Sequence, residues 1–155
     1  MKIALLAQGP IAKSCVKILN NFSSKNLSVL FCVTNKIFFD EEIVKISKRI
    51  KFIDNNSRNE DLILSSIVYH QIDAIISIQH PWILSNKIIN AVKKQAFNLH
   101  NAKLPDYKGH NTISHAILNS EKIYTTTIHK LAPKVDMGDI IFENFIEIYP
   151  DDTAY

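Results

Sequence analysis

From Lys2 to Leu99 the chain alternates short apolar or β-branched runs with longer runs whose apolar residues recur at helical spacing. The strand-like runs are Lys2 to Ala7 (KIALLA), Ser28 to Thr34 (SVLFCVT), Lys51 to Ile53, Ala74 to Ile78 (AIISI) and Gln95 to Leu99. Between the first two, Ile11 to Phe22 sets Ile11, Cys15, Val16, Ile18 and Leu19 along one helical stripe. Asp40 to Ile50 reads as a helix with Asp40 as its cap, Glu60 to Tyr69 as another, and Leu84 to Val92 as a third, capped by Ser85. A strand that is apolar throughout needs cover on both faces, and helices between successive strands supply it. The pattern therefore predicts an α/β domain of Rossmann-like type, with a mostly parallel sheet and helices on both faces.

After this the pattern changes. Thr112 to Asn119 reads as a short helix, followed by two strand-like runs, Tyr124 to Leu131 and Asp139 to Ile148. The hinge Ala132 to Gly138 joins them, which predicts an antiparallel C-terminal strand pair. In YTTTIHKL, alternation sets Thr125, Thr127 and His129 on one face and Thr126, Ile128 and Lys130 on the other. No repeat, low-complexity tract or linker interrupts the chain, so residues 1–155 are expected to form one domain. The closing Asp151-Asp152-Thr153-Ala154-Tyr155 looks like the N-terminus of a helix, and a truncated chain is the expectation.

Charge narrows the partners. With 18 basic and 15 acidic residues spread along the chain, the formal charge is +3, short of the concentrated basic face that nucleic acid requires. Pairs such as Lys93-Lys94 read as solvated faces. Cys15 and Cys32 lie in apolar runs and read as buried thiols rather than a disulfide. The opening KIALLAQGP reaches Gly-Pro too soon for a secretory signal, and no apolar run approaches the ~18 residues of a membrane span. A cytoplasmic protein with no membrane or nucleic-acid partner is expected. The six His and two isolated Cys lack zinc-ligand spacing, so no metal site is expected.

Ligands of an open α/β sheet collect at the carboxyl ends of its strands. Gln8-Gly9-Pro10, Gln79-His80-Pro81-Trp82, Asn98 to Gly109 and Ala132 to Gly138 fall at such ends. Asn98 and His100, two apart on a strand, share a face. With the carboxylate of Asp136 they form a set suited to acyl transfer: the His moves a proton, the amide binds a developing oxyanion, and the carboxylate orients the His or a water. Taken alone, an Asn-x-His with a distant Asp is more often a set of satisfied polar groups.

Asn98-Leu99-His100, followed by Leu104-Pro105 and Gly109 and then by Val135-Asp136-Met137-Gly138, resembles the signature of the folate-dependent formyltransferases: N-x-H, L-P-x-x-x-G and V-D-x-G in that order. The resemblance implies that Asn98, His100 and Asp136 are a catalytic trio moving a formyl group from N10-formyltetrahydrofolate to an amine without metal. It further implies that Gln79, His80, Pro81, Trp82 and Ile83, with Leu99 and Val135, hold the folate, largely through backbone groups. Gln8, Lys103, His110 and Asn111 are its implied substrate contacts, and a homodimer is compatible with it. Gly138 is expected to offer the turn a backbone conformation other residues avoid.

The sequence departs from the family pattern in places. Ala102 stands where many members have Ser, and Asn101 where they have Pro or Ala. The loop Gln8 to Ser14 lacks the Gly-rich phosphate cradle of members acting on glycinamide ribonucleotide, and residues 1–155 include no basic C-terminal domain for transfer RNA, an absence that the expected truncation would explain. HNAKLPDYKGHNT is most similar to members that formylate a nucleotide-linked amino sugar, with dTDP as the expected nucleotide. Glycinamide ribonucleotide, methionyl-tRNA and a noncatalytic binding role are the alternatives.

Among other residues, Trp82 reads as a buried anchor or a folate-side wall, and His80 as a loop residue with a local hydrogen bond. His110 reads as a substrate contact or an exposed residue, and His115 and His129 as packing or surface residues. His70 suits the negative end of a helix. Lys103 and Lys108 read as contacts to a phosphate or the folate tail, or as solvated loop residues.

Overall fold

A computed structural model describes residues 1–21, 28–34, 50–54 and 58–154. The chain divides into two compact units, Met1–Phe97 and Asn98–Tyr155. The helix expected over Asp40 to Ile50, with its cap Asp40, lies outside the described residues except for Ile50.

The first unit holds β1 (Lys2–Ala7), α1 (Gly9–Asn21), β2 (Ser28–Thr34), β3 (Lys51–Asp54), α2 (Glu60–His70), β4 (Ala74–Ile78) and α3 (Asn86–Ala91). β1 pairs in parallel with both β2 and β4, and β2 with β3, giving the order β3-β2-β1-β4. Every residue from Ile3 to Ala7 is buried, as are Phe31 to Thr34 on β2. Neighbouring strand residues face opposite ways, so continuous burial means cover on both faces, as the apolar runs imply.

The helices refine the expected boundaries. α1 starts at Gly9, with Pro10 in its first turn where a missing N–H costs nothing. Ala12 and Val16 are buried, whereas Ile18 is 53% exposed; at 100° per residue Ile18 points well away from the Ala12–Val16 line, so it does not belong to the core stripe. α2 buries Ile63, Ser66 and Ile67, carries Glu60 and Asp61 in its first turn and His70 in its last, and ends on left-handed Gln71. α3 is shorter than expected, excluding Leu84 and Val92. Ser85 occupies its N-cap position, but its hydroxyl makes no capping bond and is buried without a partner among the described residues.

β5 (Gln95–His100) runs through the division between the units and ends one residue later than expected, on His100. The second unit continues with α4 (Thr112–Leu118), β6 (Ile123–Lys130) and β7 (Ile140–Glu147). Its strand order is β5-β6-β7, and β6 and β7 are antiparallel, Thr127 opposite Glu143 and His129 opposite Ile140. Thr125, Thr127 and His129 are buried while their neighbours are half-covered, which is the alternation seen in the sequence. β7 is the edge strand, and Ile141, Phe142, Phe145 and Ile146 are exposed on it. No helix among the described residues is long and apolar enough to cross a membrane.

The contrast between two apolar residues gives a test of the core assignment. Phe31 has no exposed surface, so Phe31→Ala is expected to cost about 3–5 kcal/mol in denaturant unfolding. Exposed Ile18→Ala is expected to stay within about 0.5 kcal/mol, and comparable losses at both positions would contradict the assignment.

Candidate active site

The hairpin of the second unit and the end of β5 bring four polar side chains together. Residues 131–139 leave β6 and return to β7, closed by Lys130 N–H donating to the Asp139 carbonyl at 2.9 Å and by a Lys130–Asp139 ion pair at 2.9 Å. Gly138 does not take a left-handed φ, contrary to expectation. A Cβ there would sit 1.7 Å from the carbonyl oxygen of Lys130, so the glycine is required by close approach of two backbones. The left-handed conformation falls on Asp136 itself, at φ 52°. Short polar side chains tolerate that region better than most.

The Asp136 side chain is 8% exposed and has three neighbours. Its Oδ2 accepts the Gly109 backbone N–H at 3.1 Å and lies 3.8 Å from His100 Nδ1, an ion-pair distance. Its Oδ1 lies 3.4 Å from His129 Nε2. Gly109, at φ +88°, turns its N–H toward the carboxylate from a conformation other residues rarely take. Burial alone would raise the Asp136 pKa, but the His129 contact, the Gly109 hydrogen bond and the nearby imidazoles outweigh it. The net shift is below the ordinary carboxylate value.

His129 is the residue the sequence reading left out of the candidate site. Assigned to packing or surface, it is 1% exposed and joins the other site groups: its Nε2 is 3.3 Å from Asn98 Nδ2. Its Nδ1 is 2.9 Å from the Lys130 carbonyl, which only accepts, so Nδ1 carries a proton. A neutral His129 then accepts an Asn98 amide N–H at Nε2, and a protonated one donates to Asp136. The signal was present in the alternation of Thr125, Thr127 and His129, which puts this imidazole on the inner face of the strand leading into the Asp136 turn.

Structure thus brings Asn98, His100 and Asp136 together within the second unit. His100 is buried at the very end of β5, its Nε2 2.6 Å from the Tyr107 carbonyl. Leu99 is half-buried and Val135 exposed. Thr112 and Tyr124 hydroxyls both donate to the Asn101 carbonyl, and Thr127 to the Ala102 carbonyl, fixing the loop that follows β5. The Leu104–Pro105 peptide is cis. Lys103 is exposed and paired with Asp106 at 2.9 Å, and the Lys108 ammonium lies 3.0 Å from Met137 Sδ. His110 and Asn111 are exposed, Asn111 at φ 58° before α4.

The remaining site candidates belong to the first unit. Gln8 is half-buried after β1, and Gln79 follows β4 at φ 52°. Trp82 is 40% exposed and Ile83 is exposed, so Trp82 is no buried anchor. His80 lacks the expected local hydrogen bond: both ring nitrogens are buried without a partner among the described residues. Cys32 is buried and Cys15 half-buried, both as free thiols. Burial raises both thiol pKa values, that of Cys32 to about 12.

Over residues 1–155 the chain matches the family described as formyl transferase, and it belongs to that family. It is 31% identical over 163 residues to the bifunctional polymyxin resistance protein ArnA of Wigglesworthia glossinidia brevipalpis, covering 99% of this chain and 24% of that protein. This chain therefore spans about a quarter of that relative's length. The phosphoribosylglycinamide formyltransferase of Anaplasma phagocytophilum superposes with a TM-score of 0.82 at 22% identity, over 99% of this chain and 75% of that one. A formyltetrahydrofolate deformylase of Pseudomonas syringae pv. tomato gives 0.78 at 16% identity, over 98% and 53%. These two likenesses establish the fold.

His80 supplies a stability test. Burial lowers its pKa from 6.5 to about 4, so on acidification the unfolded chain takes up the proton first. The stability tied to neutral His80 is complete above about pH 6.5 and is lost as pH falls toward about 4. Unfolding free energies measured across that window should decline, and His80→Leu should flatten the decline. An unchanged slope in the variant would contradict a buried neutral imidazole.

Proposed function

We propose that this chain transfers a formyl group from N10-formyltetrahydrofolate to the amine of a nucleotide-linked deoxyamino sugar, with dTDP as the nucleotide. The observation that supports formyl transfer most is the convergence of Asn98, His100 and Asp136 at one buried point. An amide has two N–H groups; one Asn98 N–H reaches His129, and the other remains to stabilise the charge developing on the formyl oxygen. When the amine nitrogen bonds to the formyl carbon it must lose a proton. His100, backed by ionised Asp136, takes that proton directly or through water, and it is returned to the departing folate nitrogen as the old bond breaks. The first-unit segment Gln79 to Ile83 is proposed to hold the folate. Exposed Trp82 and Ile83 suit a flat heteroaromatic ring, and His80 carries ring nitrogens without partners among the described residues.

The sugar-nucleotide reading draws on the first loop. Pro10, in the first turn of α1, has no N–H to offer, and Gly9 is the only glycine between Gln8 and Ser14. Such a loop is poorly equipped to wrap a terminal monophosphate in backbone donors. A dTDP-amino sugar should therefore show a higher kcat/KM than glycinamide ribonucleotide, and the reverse order would overturn the assignment.

For the chemistry, Asp136→Asn keeps the shape but removes the charge and the acceptor. Its kcat is expected to fall by roughly two to four orders of magnitude, with folate affinity unchanged within a few-fold because the loss falls on the transition state. A kcat near wild type would remove Asp136 from the mechanism. EDTA should leave the rate unaltered; activity lost to the chelator and restored by zinc or magnesium would contradict this scheme.

A further inference from the structure

We propose that Tyr107 is a positioning residue for His100, setting which ring nitrogen carries the proton. The inference rests on the reading that His100 handles the proton of the attacking amine. His100 Nε2 lies 2.6 Å from the Tyr107 backbone carbonyl. A carbonyl oxygen can only accept, so Nε2 bears the hydrogen, and the opposite tautomer would press two lone pairs together. The neutral ring therefore keeps its free lone pair on Nδ1, the nitrogen 3.8 Å from Asp136 Oδ2. When Nδ1 gains a proton, the imidazolium has an acceptor for each N–H: the Tyr107 carbonyl on one side and a carboxylate on the other. Tyr107 thus presets the ring to take a proton where Asp136 can balance the charge.

What holds the carbonyl is the rest of Tyr107. Its N–H donates to the Lys103 carbonyl at 2.9 Å, closing the turn that precedes it. Its hydroxyl donates to Glu121 Oε1 at 2.7 Å and accepts from Asn119 Nδ2 at 3.0 Å. Asn119 and Glu121 are anchored to the C-terminal end of α4, through N–H bonds to the His115 and Ala116 carbonyls at 2.9 and 3.0 Å. A hydroxyl far from the reacting atoms is in this way tied, through one backbone carbonyl, to the proton placement on His100. The L-P-x-x-x-G spacing leaves this position unspecified.

The test uses the full chain with 15N-labelled histidine, the His100 signals being assigned by comparison with His100→Gln. Wild type should show His100 protonated at Nε2. Tyr107→Phe removes only the hydroxyl and should yield mixed tautomers, with kcat for formyl transfer to a dTDP-amino sugar reduced by roughly threefold to thirtyfold and KM for folate unchanged. Glu121→Gln keeps an oxygen to accept the hydroxyl and should behave as wild type; Glu121→Leu should match Tyr107→Phe. An unchanged tautomer and kcat in Tyr107→Phe, or equal behaviour of the two Glu121 variants, overturns the clamp alone. Full turnover in His100→Gln overturns the underlying role of His100, and with it the purpose of the clamp.

Discussion

The carboxylate of Asp136 is the contact on which the second unit's site depends. It takes an N–H from Gly109, faces His100 with one oxygen and meets His129 with the other. Burying an ionised carboxylate is costly unless donors surround it. Here the Gly109 N–H is the standing donor and the two imidazoles add theirs when protonated, so the groups that keep Asp136 charged are also those it orients. Loss of any one would leave the others with an unbalanced charge or an empty acceptor.

Backbone geometry makes that contact available. Asp136 stands in the left-handed region, Gly109 stands there as well, and Gly138 lets the returning chain pass against the Lys130 carbonyl. None of these is a low-energy choice for an ordinary residue, and such conformations persist where surrounding contacts over-determine them. The closing bonds between Lys130 and Asp139, together with the anchored loop after β5, provide that surrounding.

Strand content was readable because parallel strands buried on both faces leave a continuous apolar signature, as in KIALLA and SVLFCVT. Ile18 was misread because a helix stripe seen as residue spacing tolerates a residue well off the axis of burial. Ser85 was placed at the right position, yet its side chain does not form the bond that propensity implies. The meeting of Asn98, His100 and Asp136 was expected from motifs that lie far apart in the chain. His129 was not, because a histidine on an alternating strand gives the same pattern whether it packs or acts. Gly138 was singled out for the wrong reason: sequence marks a glycine, but only coordinates distinguish a positive φ from a close backbone approach.

The central claim is that the Asp136-centred site delivers a formyl group to an amine. The most direct measurement follows a carbon-labelled formyl group from N10-formyltetrahydrofolate in a rapid-quench single turnover with a dTDP-amino sugar. The account predicts that the label appears on the sugar amine in step with release of tetrahydrofolate. Label recovered as formate, or retained on the folate while both ligands are bound, would contradict it.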